Sequence, residues 1–112
     1  MIPLLTDILL SDSFIVTDSI KKSVDETELA MICVGTPTDQ EGRVNTAAIE
    51  RVLKDIAGSA TKSYTILIRS TILPTLLKPL IKEICQVNPN LTIGVNPEFL
   101  REGTALDDFF NP

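Results

Sequence analysis

The segment Leu29-Ala30-Met31-Ile32-Cys33-Val34 decides the fold class, and it is followed directly by Gly35. Such an uninterrupted apolar run predicts a β-strand that is buried on both faces, as the strands of a parallel sheet are. Two further strands are predicted at Tyr64–Ile68 and Leu91–Val95, the first of them also buried. Amphipathic helix patterns separate the three strands. This alternation predicts right-handed crossovers and an α/β fold, a parallel sheet with flanking helices.

The boundaries of both intervening helices carry local signals. Asn45 or Thr46 is expected to cap the first helix, which should end at residues 58–59. The second helix pattern covers residues 73–84. Because proline lacks the backbone donor of a helix interior, Pro79 predicts either a kink or a later start.

The residues upstream of the first strand predict shorter elements. Apolar spacing indicates a short helix near residues 2–9 and a brief strand at residues 14–16. A second short helix should follow, with Asp18 or Ser19 as its N-cap.

Composition and charge narrow the classes of function. The 112 residues suffice for one small domain, and 44% hydrophobic residues with 22% charged residues fit an ordinary globular protein. A net charge of −5, with ten basic and fifteen acidic residues, argues against nucleic-acid binding. No apolar run approaches the roughly 20 residues that span a bilayer, and the first ten residues make a poor signal peptide. We therefore expect no membrane partner and a cytoplasmic location.

The residue types that are missing exclude several kinds of site. The chain contains no histidine, which rules out Ser-His-Asp triads, Cys-His pairs and His-dependent zinc sites within it. No metal site is predicted. The two cysteines, Cys33 and Cys85, are interpreted as small buried hydrophobic residues.

Three loops follow the predicted strands, at the sheet edge where ligands of open parallel sheets bind. They are residues 34–37, 69–71 and 95–103. Each has another interpretation: a plain strand-exit turn for the first, an N-cap for the second, and a solvated cluster of the charged residues between 98 and 102 for the third. The five glycines never form the Gly-x-Gly-x-x-Gly of a dinucleotide-binding turn. These residues alone thus predict a ligand edge and no particular cofactor.

The third loop contains a longer motif. Residues 96–105 read Asn-Pro-Glu-Phe-Leu-Arg-Glu-Gly-Thr-Ala, followed by Asp108-Phe109 and Asn111-Pro112. This stretch resembles the signature of the UDP-glucose/GDP-mannose dehydrogenase family. Residues 32–37 resemble the second hallmark of that family, and residues 69–71, followed by Pro74, resemble its third. The three motifs occur in the family's order and spacing, and the resemblance covers nearly the whole chain.

The resemblance implies a Rossmann-like, NAD-binding fold and an oxidoreductase activity. Residues 1–112 would be a partial N-terminal NAD-binding domain, incomplete because the first βαβ unit is missing. The implied reaction oxidises UDP-glucose to UDP-glucuronate in two hydride transfers to NAD, through a thioester on a cysteine, as a step in polysaccharide biosynthesis. GDP-mannose and UDP-N-acetylmannosamine dehydrogenases share the architecture, and the family forms homodimers. A non-catalytic nucleotide-binding or interaction module is the alternative from a different class.

The motif match also implies roles for single residues. Thr71 would help order the catalytic water near the nicotinamide, and Glu98 would be the acid–base glutamate of thioester hydrolysis. The residues expected to contact the cofactor are Thr36, Ser70 and Glu102. Those expected to shape or border the nucleotide-sugar pocket are Phe99, Leu100, Arg101 and Glu102.

The chain departs from the family pattern at three places. The glycine fingerprint of the family should precede Met1, and the cysteine nucleophile belongs to a Gly-Gly-x-Cys region that this sequence lacks. Neither Cys33 nor Cys85 matches that motif, so neither is predicted to be catalytic. Where members of that family have a Pro-Gly-Thr or Pro-Val-Gly-Thr turn, this chain has Pro74-Thr75-Leu76. We therefore expect a cut chain that is inactive alone.

Overall fold

A computed structural model describes residues 2–9 and 14–111. Pro112, the last residue of the family-like signature, lies outside the described residues. The elements in chain order are α1 (Ile2–Leu9), α2 (Ile20–Glu26), β1 (Leu29–Ile32), α3 (Ala47–Ser59), β2 (Tyr64–Ile68), α4 (Pro74–Val87), β3 (Leu91–Val95) and α5 (Ala105–Phe110).

The three strands form one parallel sheet in the order β1-β2-β3. In the register of the sheet, Ile32 pairs with Ile68, and Ile68 pairs with Val95. The carboxyl ends of all three strands therefore lie in one row, and the loops that follow them leave the sheet at the same edge. The predicted α/β class and parallel sheet are confirmed.

The helix α3 packs against both α2 and α4, which places the three helices on the same face of the sheet. Strand order β1-β2-β3 steps in one direction, so two right-handed crossovers place α3 and α4 on one side. Their apolar stripes meet the inward residues of the strands, since alternate strand residues point to opposite faces. The largest fully buried side chains belong to this layer: Tyr64, Ile49, Leu53, Ile66, Ile68 and Ile84.

The opposite face of β1 is open, and the prediction of a strand buried on both faces is wrong. Leu29 is 46% exposed and Met31 is 49% exposed, whereas Ile32 is 3% exposed. Cys33 is exposed and Cys85 is half-buried, so the expected burial of both cysteines is also wrong. The physical reason is that α2, α3 and α4 share one side of the sheet. A continuous apolar run cannot reveal which of its faces other elements cover.

The upstream predictions have mixed outcomes. Residues 14–17 form no strand, and Val16 is 81% exposed, so the brief strand at residues 14–16 is wrong. The helix at residues 2–9 is confirmed. The cap at Ser19 is also confirmed, because its hydroxyl accepts a hydrogen bond from the amide of Lys22 at 3.2 Å.

The helix boundaries follow the local signals with one correction. Thr46 occupies the N-cap position of α3, while the side chain of Asn45 accepts a hydrogen bond from the amide of Ala47 at 3.0 Å. The end of α3 at Ser59 is confirmed. The helix α4 starts at Pro74, in its first turn, where proline needs no intrahelical donor. It continues through Pro79, so the later start is wrong.

One buried side chain joins the ends of α3 and α4. Asn88, which is 8% exposed, donates to the carbonyls of Ala57 at 3.0 Å and Ala60 at 2.8 Å. Its side-chain oxygen accepts a hydrogen bond from the amide of Asn90 at 3.1 Å. Asn88 follows the last residue of α4 and lies three residues before β3. These bonds therefore hold the start of β3 in place, and with it the position of the carboxyl end of β3 along the sheet.

Candidate functional site

Backbone hydrogen bonds tie the strand exits together. The amide of Arg69 donates to the carbonyl of Ile32 at 2.9 Å, which holds the exit of β2 against β1. The amide of Asn96 donates to the carbonyl of Ile68 at 2.9 Å, which holds the exit of β3 against β2. The parallel ladder thus extends one residue beyond β2 and β3, so the first residue of each loop has a position defined by the sheet.

The side chain of Ser70 links the exit of β2 to the exit of β1 by a hydrogen bond. It is 8% exposed, and its hydroxyl lies 2.6 Å from the carbonyl oxygen of Val34 and 3.4 Å from that of Ile32. The shorter contact is a good hydrogen bond, in which the hydroxyl donates. Ser70 does not cap the following helix, whose N-cap is Leu73, so that interpretation of residues 70–71 is wrong.

An open cleft of about 310 Å³, the strand-end cleft, lies between the three exits. Four of the residues predicted for the site line it: Thr36, Ser70, Thr71 and Glu98. Thr71 is exposed and Thr36 is half-buried. The remaining lining residues are Cys33, Val34, Gly35 and Arg69. Lining residues that are up to 65 positions apart in the sequence, Cys33 and Glu98, are therefore brought to one place by the aligned strand ends.

A short hairpin-like loop holds Thr36 at the rim of this cleft. The amide of Asn45 donates to the carbonyl of Pro37 at 2.9 Å, and Thr38 pairs with Val44 in an antiparallel bridge. Within the loop, hydrogen bonds from the backbone and side chain of Arg43 lower the pKa of Asp39 below its usual value. The loop after β1 is thus closed by its own contacts and keeps Thr36 close to the sheet.

A larger cleft of about 570 Å³, the loop cleft, lies on the other side of Glu98. Phe99 and Leu100, two of the predicted substrate residues, line it. The other lining residues are Arg69, Asn96, Pro97, Glu98, Asp108, Phe109 and Asn111. At 570 Å³ it falls within the size range of sites that take small ligands.

Arg69 belongs to the predicted loop at residues 69–71, but no role was predicted for its side chain from the sequence. Its guanidinium Nη2 lies 3.2 Å from Oε2 of Glu98, and its Nη1 lies 3.4 Å from the carbonyl oxygen of Asn96. The side chain of Arg69 is 24% exposed and that of Glu98 is 51% exposed. The available signal was a charged residue placed directly after a buried strand, at the ligand-binding edge.

Arg101 and Glu102 are not brought into either cleft. Arg101 binds Asp108 through its side chain at 2.6 and 3.1 Å and through its amide at 3.1 Å. Thr104 donates to the same carboxylate at 3.0 Å. The Arg101 guanidinium lowers the pKa of Asp108 to about 2, and Asp108 raises the pKa of Arg101. The solvated cluster expected among residues 98–102 is wrong, because Glu98 and Arg101 each have a more distant partner.

Residues 2–9 and 14–111 contain neither a metal-binding cluster nor a membrane-spanning helix. No group of three or more Cys, Asp or Glu side chains there could hold a metal ion. No helix in those residues has the length and apolar character required to cross a membrane.

Comparison with known proteins gives a consistent result. Residues 2–112 match the model of the UDP-glucose/GDP-mannose dehydrogenase family, NAD binding domain. A GDP-mannose 6-dehydrogenase of Azotobacter vinelandii is 38% identical over 106 residues, covering 86% of this chain and 24% of that protein. A putative UDP-glucose 6-dehydrogenase of Bacillus subtilis (strain 168) is 35% identical over 99 residues, covering 86% of this chain and 23% of that protein.

A solved structure agrees in fold as well as in sequence. The crystal structure of a ternary complex of GDP-mannose dehydrogenase from Pseudomonas aeruginosa superimposes with a TM-score of 0.70 at 36% identity, covering 83% of this chain and 23% of that one. The chain thus spans about a quarter of the length of the relatives that it matches. Its three parallel strands and flanking helices correspond to a Rossmann-like, NAD-binding domain. The chain therefore belongs to the UDP-glucose/GDP-mannose dehydrogenase family, whose NAD-binding domain it matches over residues 2–112.

Proposed function

We propose that this chain provides the strand-end edge of the active site in an NAD-dependent nucleotide-sugar 6-dehydrogenase. The observation that carries the proposal is the strand-end cleft, where a threonine hydroxyl and a glutamate carboxylate from different strand exits lie together. Thr71 comes from the exit of β2 and Glu98 from the exit of β3. Thr36 from the exit of β1 completes the cleft.

The chemistry of these groups suits the hydrolytic half of such a reaction. In such a reaction the alcohol is first oxidised to an aldehyde, and a cysteine thiol adds to that aldehyde. A second hydride transfer then gives a thioester, which water cleaves to a carboxylate and the free thiol. A carboxylate such as Glu98 can accept a proton from the attacking water. The hydroxyl of Thr71 can donate to or accept from that water without adding charge. The exposure of both side chains leaves them open to water and substrate.

The residues of the strand-end cleft fit one part of NAD. NAD supplies the hydride acceptor of the reaction. Hydroxyl groups on Thr36 and Thr71 and an open sheet edge suit the nicotinamide and its ribose, and about 310 Å³ is near the lower limit for a ligand site. The sequence has no Gly-x-Gly-x-x-Gly with which to cradle a pyrophosphate. We assign only the nicotinamide half of the cofactor to these residues.

The nucleotide sugar is assigned to the loop cleft. Phe99 and Leu100 offer apolar contact there, beside the carboxylate of Glu98. UDP-glucose is the substrate implied by the motifs, but relatives named for GDP-mannose and for UDP-glucose match with similar identity, 38% and 35%. We therefore propose a nucleotide sugar with a free 6-alcohol, with GDP-mannose and UDP-glucose as the two candidates. Polysaccharide biosynthesis and a location in the cytoplasm stay predictions.

Turnover by the chain alone is the first test. Purified chain is mixed with NAD and either sugar nucleotide, and the absorbance of NADH is followed. We expect no sustained increase, because the 112 residues contain neither the glycine fingerprint nor a Gly-Gly-x-Cys motif. Sustained turnover would contradict the proposal that this chain provides only one edge of the active site.

Binding is the second test and bears on the function itself. Calorimetric titration should give saturable binding of NAD or of one sugar nucleotide. Thr71→Val should weaken NAD binding, since it removes the hydroxyl from the cleft. Thr92→Val is the matched control, because Thr92 is exposed near the other end of β3. If neither ligand binds, the proposed function fails and the non-catalytic interaction module is the remaining alternative.

A further inference from the structure

The strand-end cleft and the loop cleft meet at a single pair of side chains. Among the described residues that line these two clefts, only Arg69 and Glu98 line both. Their ion pair, with Nη2 and Oε2 3.2 Å apart, therefore stands between the two spaces. Two ligands that occupied the clefts would approach each other across this pair.

The two partners are anchored very differently. Arg69 is the first residue after β2, its amide is bonded to the carbonyl of Ile32, and its side chain is three-quarters buried. Glu98 lies two residues beyond Asn96, whose amide makes the last bond to the sheet. Within the described part of the chain, residues 97–100 make no backbone–backbone hydrogen bond. The position of Glu98 therefore depends on its side-chain contact, whereas the position of Arg69 depends on the sheet.

The guanidinium group contacts the loop at two points. Nη2 donates to the carboxylate of Glu98, and Nη1 lies 3.4 Å from the carbonyl oxygen of Asn96. A planar group with several fixed donors can hold two acceptors at once, which a lysine ammonium at the end of a flexible stem does less well.

We infer that Arg69 is a positioning residue, which holds the carboxylate of Glu98 at the junction of the two clefts. The chemical meaning of this role rests on the proposed function, in which Glu98 accepts a proton from water next to both ligands. The geometric role does not depend on that function. Because the pair is partly exposed, it contributes little to the free energy of unfolding, and its loss should disturb the loop rather than the fold.

The experiment measures the side-chain conformation of Glu98 directly. In isotopically labelled chain, the couplings between its α and β protons report whether the side chain occupies one rotamer or averages over several. We compare wild type with Arg69→Lys and Arg69→Gln. Arg43→Gln is the matched control, because Arg43 is also ion-paired, to Asp39 and Glu41, and lies outside both clefts. The amide spectrum of each variant shows whether it is folded.

The expected result is graded. Glu98 should occupy one rotamer in wild type and in Arg43→Gln, average over rotamers in Arg69→Gln, and be partly restored in Arg69→Lys. Averaging already in wild type, or a single rotamer retained in Arg69→Gln, overturns the inference. If Arg69→Gln does not fold, the comparison of wild type with Arg69→Lys decides, since the lysine variant keeps the charge and must still show a loosened Glu98.

The same samples separate this inference from the proposed function. NAD and a sugar nucleotide are then added to wild type. A fixed Glu98 with no binding of either ligand supports the positioning role and refutes the function. A mobile Glu98 together with saturable binding refutes the positioning role and leaves the function standing.

Discussion

Replacing Ser70 by alanine removes a hydroxyl that joins two strand exits. In the structure this hydroxyl donates to the carbonyl of Val34 at 2.6 Å, and Ser70 is 8% exposed. The resemblance to dehydrogenases assigns Ser70 to the cofactor, whereas the geometry gives it a backbone partner. The substitution distinguishes a role in stability from a role in ligand binding.

The size of the effect follows from the environment of the bond. One intramolecular hydrogen bond contributes a net ~0.5–1.5 kcal/mol to stability, and an acceptor left unpaired in a buried place costs about 1–3 kcal/mol. The carbonyl partner belongs to Val34, which is only half-buried, so water can replace part of the lost bond. We therefore expect Ser70→Ala to lower the free energy of unfolding by about 1–2 kcal/mol.

Urea unfolding followed by far-ultraviolet circular dichroism measures this loss. With a slope of roughly 1–2 kcal/mol per molar urea for a small domain, the midpoint should fall by about 1 M. The matched control is Thr71→Val, next to Ser70 but exposed, which should change stability by no more than about 0.5 kcal/mol. An unchanged midpoint for Ser70→Ala, together with weaker NAD binding, would refute the structural role of the hydroxyl. It would show instead that the hydroxyl of Ser70 contacts the cofactor.

Three more outcomes are expected. Asn88→Ala removes three hydrogen bonds from a buried site and should lower the free energy of unfolding, measured in urea, by about 2–4 kcal/mol. Asn90→Ala, at an exposed neighbouring position, is the control and should lower it by less than about 0.5 kcal/mol. Equal losses of stability in the two variants would argue against a buried junction at Asn88. Ile32→Ala should lower the free energy of unfolding by about 2–5 kcal/mol, and Met31→Ala by less than about 1 kcal/mol. A larger loss for Met31→Ala than for Ile32→Ala would mean that the exposed face of β1 is in fact covered. The pKa of Asp108 is lowered from 3.8 to about 2 by Arg101, so this contact stabilises the folded loop above about pH 4 and is lost as the pH falls toward 2. The amide resonances of Arg101 and Thr104 should shift over that range and should already be shifted at pH 7 in Asp108→Asn; amides that stay constant down to pH 2 would contradict the contact.

Much of the local structure could be predicted from the residues alone. The pattern at Tyr64–Ile68 predicted a strand with the observed bounds. The apolar run before Gly35 predicted a strand at residues 29–34, and β1 begins at Leu29 but ends two residues earlier, at Ile32. The strand Leu91–Val95 has its predicted bounds. The predictions that fail are the strand at residues 14–16, where a short apolar run forms no strand, and the later start of a helix near Pro79, since α4 begins at Pro74. The local signal was weak in both cases. Three apolar residues are too few to define a periodicity, and a helix can continue through one proline because the turns on either side keep their hydrogen bonds.

Part of the site was also predictable. The rule that ligands bind at the carboxyl ends of parallel strands grouped three loops, and four of their residues do line one cleft: Thr36, Ser70, Thr71 and Glu98. The roles assigned to these residues by family resemblance stay predictions. The motif match also predicted Arg101 and Glu102 as site residues, yet they lie outside both clefts. A motif records which residues occur together in sequence, not which way each side chain points.

Local patterns along the chain predict the three strands of the sheet, the helices α1 to α4 and the edge at which the loops converge, because periods of 2 and 3.6 residues act over neighbouring positions. The packing of the whole chain sets which face of β1 is open and which groups are paired across the strand exits. Arg69 and Glu98 are 29 residues apart, and they meet because Ile68 and Val95 lie side by side in the sheet. Register and the packing of helices on one face are properties of the whole fold. No local pattern along the chain contains them.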